Sequence, residues 1–156
     1  MKQIIQTKLT LVLPTDKVIV PLQIVYDNDE DEVNPISEIS LVYNNIKYQG
    51  NGTNFLWMDT FADLQRKLPH DVKLACCMTC RHGNMCPYGN RANLLFCTKD
   101  VQINNKIDMC NVYNESILSS SNREVSSFNY CDDFIYQTDD YYTYNDYLFY
   151  LQEKNS

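Results

Sequence analysis

Hydrophobic and polar positions alternate loosely from Gln3 to Leu13, in a stretch rich in Ile, Leu, Val and Thr. A period of two with β-branched residues predicts a strand. Pro14-Thr15-Asp16 supplies turn chemistry, and Val18 to Tyr26 (VIVPLQIVY) predicts the returning strand. Pro21 has no N–H to give to a ladder, so it places this strand at an edge or on a bulge. A polar loop ending at Asn34-Pro35 follows. Ile39 to Tyr48 (ISLVYNNIKY) then predicts a hairpin, because Asn44-Asn45 tolerates the positive φ of a tight turn.

The period then lengthens. Trp57, Phe61, Leu64 and Leu68 fall on one face of a helix, with Thr53 or Asn54 as its cap, Arg66 and Lys67 at the negative end of its dipole, and Pro69 as its stop. Trp57 is expected as a core anchor. Asp71 to Cys77 predicts a strand leading into the cysteines, and LLFC ending at Cys97 predicts another. Residues 113–129, rich in Ser and Asn, carry no period and are expected as a mobile surface loop. Tyr144, Leu148 and Leu151 would line a final helix from about Tyr144. The expected class is α+β in a single domain over 1–156. An N-terminal antiparallel sheet with one helix (1–70) would precede a cysteine-rich module (71–113) and an acidic, tyrosine-rich segment (114–156) with a candidate C-terminal helix.

Composition narrows the function. With 156 residues and 44% apolar content, the chain has enough material for one core. Its apolar runs, such as LTLVLP, are too short to span a bilayer. The start, MKQIIQ, lacks the apolar stretch of an export signal, so the expected address is cytoplasmic, where thiols stay reduced. The sequons at Asn51 and Asn114 then carry no weight. The net charge of -7 counts against binding phosphate backbones. Acids gather in a knot (Asp27, Asp29, Glu30, Asp31, Glu32) and again after Glu124, whereas residues 71–113 are mildly basic. The acidic C-terminal part also holds seven of the twelve tyrosines (at 130, 136, 141, 142, 144, 147 and 150). Tyrosine area with an acidic rim suits a basic protein partner, although many tyrosines would simply cover a small core. No membrane or nucleic-acid partner is expected, and the oligomeric state is left open.

The chemistry-bearing stretch is LACCMTCRHGNMCPYGNRANLLFC, which holds five of the seven cysteines. Cys77 and Cys80 form a CxxC pair, whose two-residue turn lets both sulfurs meet one ion while backbone N–H groups stabilise the thiolates. Cys86 and Cys97 follow at spacings that small zinc modules use, with Cys110 contending for the fourth place. The candidate metal set is therefore Cys77, Cys80, Cys86 and Cys97, holding zinc in a closed site that leaves no position for catalysis. Other readings stay open: an iron–sulfur cluster, a redox CxxC, or reduced thiols packed as small hydrophobes. A thiol-based redox or metal-handling enzyme using Cys77 and Cys80 is the main alternative of a different class. Cys76, next to Cys77 on a strand, would face away; Cys131 is expected in the core. His82 is a potential ligand or base, but His70 and His82 lack a recognisable catalytic context, and the four glycines form no phosphate cradle.

Leu68, Pro69, Cys77, Cys80, Arg81, Pro87, Tyr88, Gly89, Asn90 and Cys97 together form a pattern that resembles a group of uncharacterised bacterial proteins of the domain-of-unknown-function kind. The resemblance covers about thirty residues. Some similar proteins occur near polymorphic toxin systems, which implies an immunity or accessory role and no known reaction. The chain departs from the pattern with His82 in place of an aromatic and Cys86 in place of a small polar residue. That singles out Cys77, Cys80 and Cys97 as the firmer trio.

Overall fold

The computed structural model describes residues 2–27, 36–52, 57–88, 94–119 and 122–153. The chain divides into two compact units, Met1–Ala75 with Phe149–Ser156, and Cys76–Leu148. The acidic residues Asp29 to Glu32 with Asn34-Pro35, the Thr53 or Asn54 cap, and Gly89, Asn90 and Arg91 lie outside the described residues.

The first unit is a meander. Strands β1 (Lys2–Val12) and β2 (Lys17–Asp27) pair antiparallel from Lys2↔Asp27 to Val12↔Lys17, and the Leu13 N–H closes the turn on the Asp16 carbonyl at 2.7 Å. Strands β3 (Ile36–Tyr43) and β4 (Ile46–Asn51) form the expected hairpin. Asn44 and Asn45 sit at φ 51° and 64°, the left-handed pair that a two-residue turn needs. A short β5 (Lys73–Ala75) completes a sheet of order β4-β3-β2-β1-β5. β2 therefore has neighbours on both sides. Its pairing with β3 begins only at Leu22, however, so Pro21 stands at a locally free edge, and the register shift falls at Val25/Tyr26.

Leu9, Leu11, Leu22, Ile24, Ile39 and Leu41 alternate inward from three strands and are buried. Helix α1 (Met58–Lys67) covers them with Phe61, Ala62 and Leu64, all fully buried. The helix lies so close to β4 that a Cβ on Gly50 would stand 2.6 Å from the Thr60 carbonyl oxygen. Asp63 accepts the Asn51 N–H at 2.8 Å, and Lys67 donates to the Gln49 carbonyl at 2.9 Å, so polar ties reinforce that approach. Trp57, expected as a core anchor, is only half-buried at the helix start, and Met58 takes the core place.

The second unit opens at Cys76 with a 3-10 turn, Cys77–Thr79. A small sheet follows, of order β6 (Gly83–Met85), β7 (Leu95–Cys97) and β8 (Glu124–Val125). Helix α2 (Lys106–Leu118) runs through the start of the segment expected to be a mobile loop. The Asn105 side chain caps it by accepting the Asp108 N–H at 2.9 Å, and Met109, Val112, Tyr113 and Ser116 line its buried face at helical spacing. Exposed Ile107, Ile117 and Leu118 on its other side blur the period, which is why the pattern escapes a reading of the sequence. Helix α3 (Tyr147–Glu153) starts three residues after Tyr144, where the Asn145 side chain accepts the Tyr147 N–H at 2.9 Å. No helix among the described residues is long and apolar enough to cross a membrane.

Candidate metal centre

Cys77 to Gly83 forms a knuckle. The Cys80 N–H donates to the Cys77 carbonyl at 3.3 Å, and the Gly83 N–H to the Cys80 carbonyl at 3.1 Å. This curl turns the His82 N–H toward Cys80 Sγ at 3.5 Å, and the Ile135 N–H reaches the same sulfur from a separate segment. The Asn129 side chain approaches Cys77 Sγ at 3.9 Å. Such donors favour the charged form of a thiol.

The outward carbonyls of the knuckle are held as firmly. The Gln137 amide donates to the Met78 carbonyl at 3.0 Å, and Asn145 donates to those of Met78 and Gly83 at 2.9 and 3.0 Å. Both amides are buried, so each fills an acceptor that water does not reach. Gly83 is needed for a steric reason: a Cβ there would stand 2.0 Å from the Cys77 carbonyl oxygen. Because Gly83 pairs with Cys97 across β6 and β7, this close approach seats Cys97 beside the knuckle.

Burial pushes the Cys77 thiol up to about 12, with the charges of Cys76, Cys80 and Cys97 adding to the rise against the Asn129 amide. Cys80 is raised too, chiefly by burial; N–H groups of Ile135 and His82 oppose this, and Cys97 and Cys131 reinforce it. Cys76 is fully buried and also pushed up to about 12, by burial first, and its backbone and sulfur engage Thr79. Its sulfur lies against the Thr79 hydroxyl in the interior. His82 is lowered, first by burial and then by Arg81 and Lys99. Its Nδ1 is buried with no hydrogen-bond partner among the described residues. An open depression of about 590 Å³ is lined by His82, Lys99, Asp100, Asp132, Asp133 and Ile135, among others.

The other cysteines separate. Cys86 packs into an apolar cluster with Phe96, Ile103, Met109, Val112 and Tyr113. Since Phe96 faces that cluster, strand alternation turns its neighbour Cys97 to the opposite face. The structure thus sets the Cys97 strand beside the Cys77–Gly83 knuckle and places Cys86 with the core of α2. Cys110 is half-buried on α2. Cys131, expected as an ordinary core residue, is instead half-buried and near enough for its charge to be felt at Cys80 and at Lys99. Nothing in the local sequence marks it, because Cys80 and Lys99 lie far from it along the chain. Among the described residues no three His, Cys, Asp or Glu side chains stand gathered at the separation that holds an ion directly. The chain matches no known family model and no curated protein.

The donors of the knuckle are sulfur atoms. Burial resists ionisation of Cys77 and Cys80, and a divalent cation would offset both their desolvation and their mutual repulsion. Soft sulfur donors on a tight turn select zinc over the oxygen-seeking cations.

Proposed function

We propose that the Cys76–Leu148 unit is a zinc-stapled, non-enzymatic protein-interaction module, and that the chain is a small cytoplasmic bacterial protein of accessory or toxin-immunity type. Zinc would be structural, held by Cys77, Cys80 and Cys97 with a fourth ligand. The observation that carries this reading is the knuckle: N–H groups directed at sulfur, with the carbonyls behind it capped by Gln137 and Asn145. A turn built in this way serves to hold thiolates in a fixed direction.

The interaction surface would be the acidic C-terminal part of the same unit. Asp132, Asp133, Asp139, Asp140 and Asp146 are all exposed, while Tyr147 is buried and Tyr130, Tyr136, Tyr141, Tyr142 and Tyr144 are half-buried. The acids, more than the tyrosines, would therefore steer a basic protein partner. A redox role for Cys77 and Cys80 draws less support. A reactive thiol needs a lowered pKa, and burial moves Cys77 the other way.

Native mass spectrometry with elemental analysis, on protein purified under reducing conditions without added metal, tests the zinc. One zinc per chain is expected, lost in the Cys77→Ser/Cys80→Ser variant together with cooperative unfolding of this unit. Metal-free protein of unchanged stability would overturn the reading. Rapid reversible oxidation of Cys77 and Cys80 would transfer support to the redox enzyme.

A further inference from the structure

We infer that Cys131 supplies the fourth thiolate, its segment and those of Cys77, Cys80 and Cys97 being tied together so that a metal would draw these four sulfurs, and not Cys86, into one site. The inference rests on the reading of the knuckle as a zinc site and names the ligand set that this reading leaves open.

The loop that carries Cys131 is fastened to the knuckle at both ends. On one side the Met78 N–H donates to the Ser127 carbonyl at 3.2 Å and the Cys77 N–H to the Asn129 carbonyl at 2.8 Å. On the other the Arg81 N–H donates to the Ile135 carbonyl at 2.8 Å, and Cys80 bridges Tyr136 as an isolated antiparallel pair. Cys131 therefore lies on a short span whose feet stand on the first and second knuckle cysteines. Within the span, the Phe134 N–H donates to the Cys131 carbonyl at 3.0 Å and curls it into a turn.

The residues on either side of Cys131 already serve the knuckle sulfurs. The Asn129 amide points to Cys77 Sγ, and the Ile135 N–H to Cys80 Sγ. A segment that donates hydrogen bonds to two thiolates of a site and carries a cysteine between the donors is placed to contribute a thiolate of its own. The third corner comes from β7. Cys97 sits across from Gly83, and Thr98 donates its N–H to the His82 carbonyl at 3.0 Å. Two residues beyond Cys97, Lys99 bonds Asp133 at 3.0 Å, two residues beyond Cys131, so a second tie draws these two cysteines' segments together. Four thiolates around a divalent zinc leave a net charge of two minus, and the Lys99 ammonium lies where it would partly balance that charge.

Cys86 is disposed otherwise. Its side chain fills the cluster between β7 and α2, among carbon atoms, on the face of β7 opposite Cys97. Moving it to the knuckle would empty that cluster.

Cobalt(II), which takes tetrahedral thiolate sites and reports them by absorption, is the probe. Cobalt titration of the full reduced chain is expected to give one tetrahedral site with thiolate-to-metal charge transfer. Cys131→Ser is expected to lose about a quarter of that absorption and to bind at least about tenfold more weakly. Cys86→Ser and His82→Ala should keep the wild-type spectrum. Cys131→His guards against a variant that merely fails to fold: it should retain cobalt, with its ligand-field bands moved to higher energy by a nitrogen donor. A wild-type spectrum in Cys131→Ser, with loss in Cys86→Ser or His82→Ala, would overturn Cys131 as a ligand and leave the zinc site standing. Failure of the wild-type chain to bind either cobalt or zinc would overturn both.

Discussion

The two units solve the burial of backbone polar groups in different ways. In the first, long ladders between strands that follow one another in the chain pair the backbones of β1 and β2 along their whole length, and side chains are left to pack. In the second, the strands are only two or three residues long, and side-chain amides of Gln137 and Asn145 do for the knuckle what a neighbouring strand does elsewhere. A sheet-and-helix core tolerates polar substitution on its surface. A core of side-chain hydrogen bonds depends on single residues far apart in sequence.

Withdrawal of the proposed zinc would break this contrast most strongly. With a structural zinc contributing on the order of 10 kcal/mol, a strong chelator should unfold Cys76–Leu148 and leave the strands of the first unit protected. Hydrogen exchange on the full chain, read peptide by peptide, distinguishes the two; equal loss of protection in both units would erase the distinction.

The two close glycines come next. Gly83→Ala sets a Cβ against a knuckle carbonyl and Gly50→Ala sets one between the Thr60 carbonyl and Leu64, so each should cost about 3 kcal/mol. The same exchange measurement should find the damage of Gly83→Ala in the second unit and that of Gly50→Ala in the first. Asn145→Ala should follow at about 2 kcal/mol, because it strips the donor from the Met78 and Gly83 carbonyls, and urea denaturation would measure the loss. Asn145→Asp should not rescue it, since a carboxylate has no hydrogen to donate.

The smallest effect belongs to the first unit and depends on pH. Burial alone would raise Asp63, but Lys67, the Asn51 N–H and Arg66 outweigh it and hold the carboxyl below its ordinary range. A carboxyl depressed in the folded state adds stability above its unfolded pKa and loses it as pH falls through the folded value. Asp63→Asn should therefore remove a small increment at neutral pH, under about 1 kcal/mol after solvent screening, and none in strong acid. A difference that persists below the carboxylate range would refute this origin.

Legibility in the sequence follows the same division. The Asn44-Asn45 turn, the paired strands and the Phe61–Leu64 helix face were readable because each is a local period or a local φ requirement. Helix α2 was hidden: its apolar residues lie on both faces, and the run of Ser and Asn that follows it in the sequence reads as a loop. Of the candidate site, CxxC and Cys97 stood out by spacing. The placement of Cys86 in an apolar cluster, and of Cys131 beside the knuckle, depends on tertiary pairing that no window of sequence contains.

The bond from Asn145 to Met78 spans 67 positions of the chain, and this has a consequence for the order in which the protein matures. As the chain emerges during synthesis, the first hairpins have their partners within reach almost at once. The knuckle must wait, its carbonyls bare, until the residues around 127–145 have followed it out. For that interval the thiols of Cys77 and Cys80 are open to oxidants and to stray metals. The half-made protein, rather than the finished one, is the form that most needs a reducing surrounding.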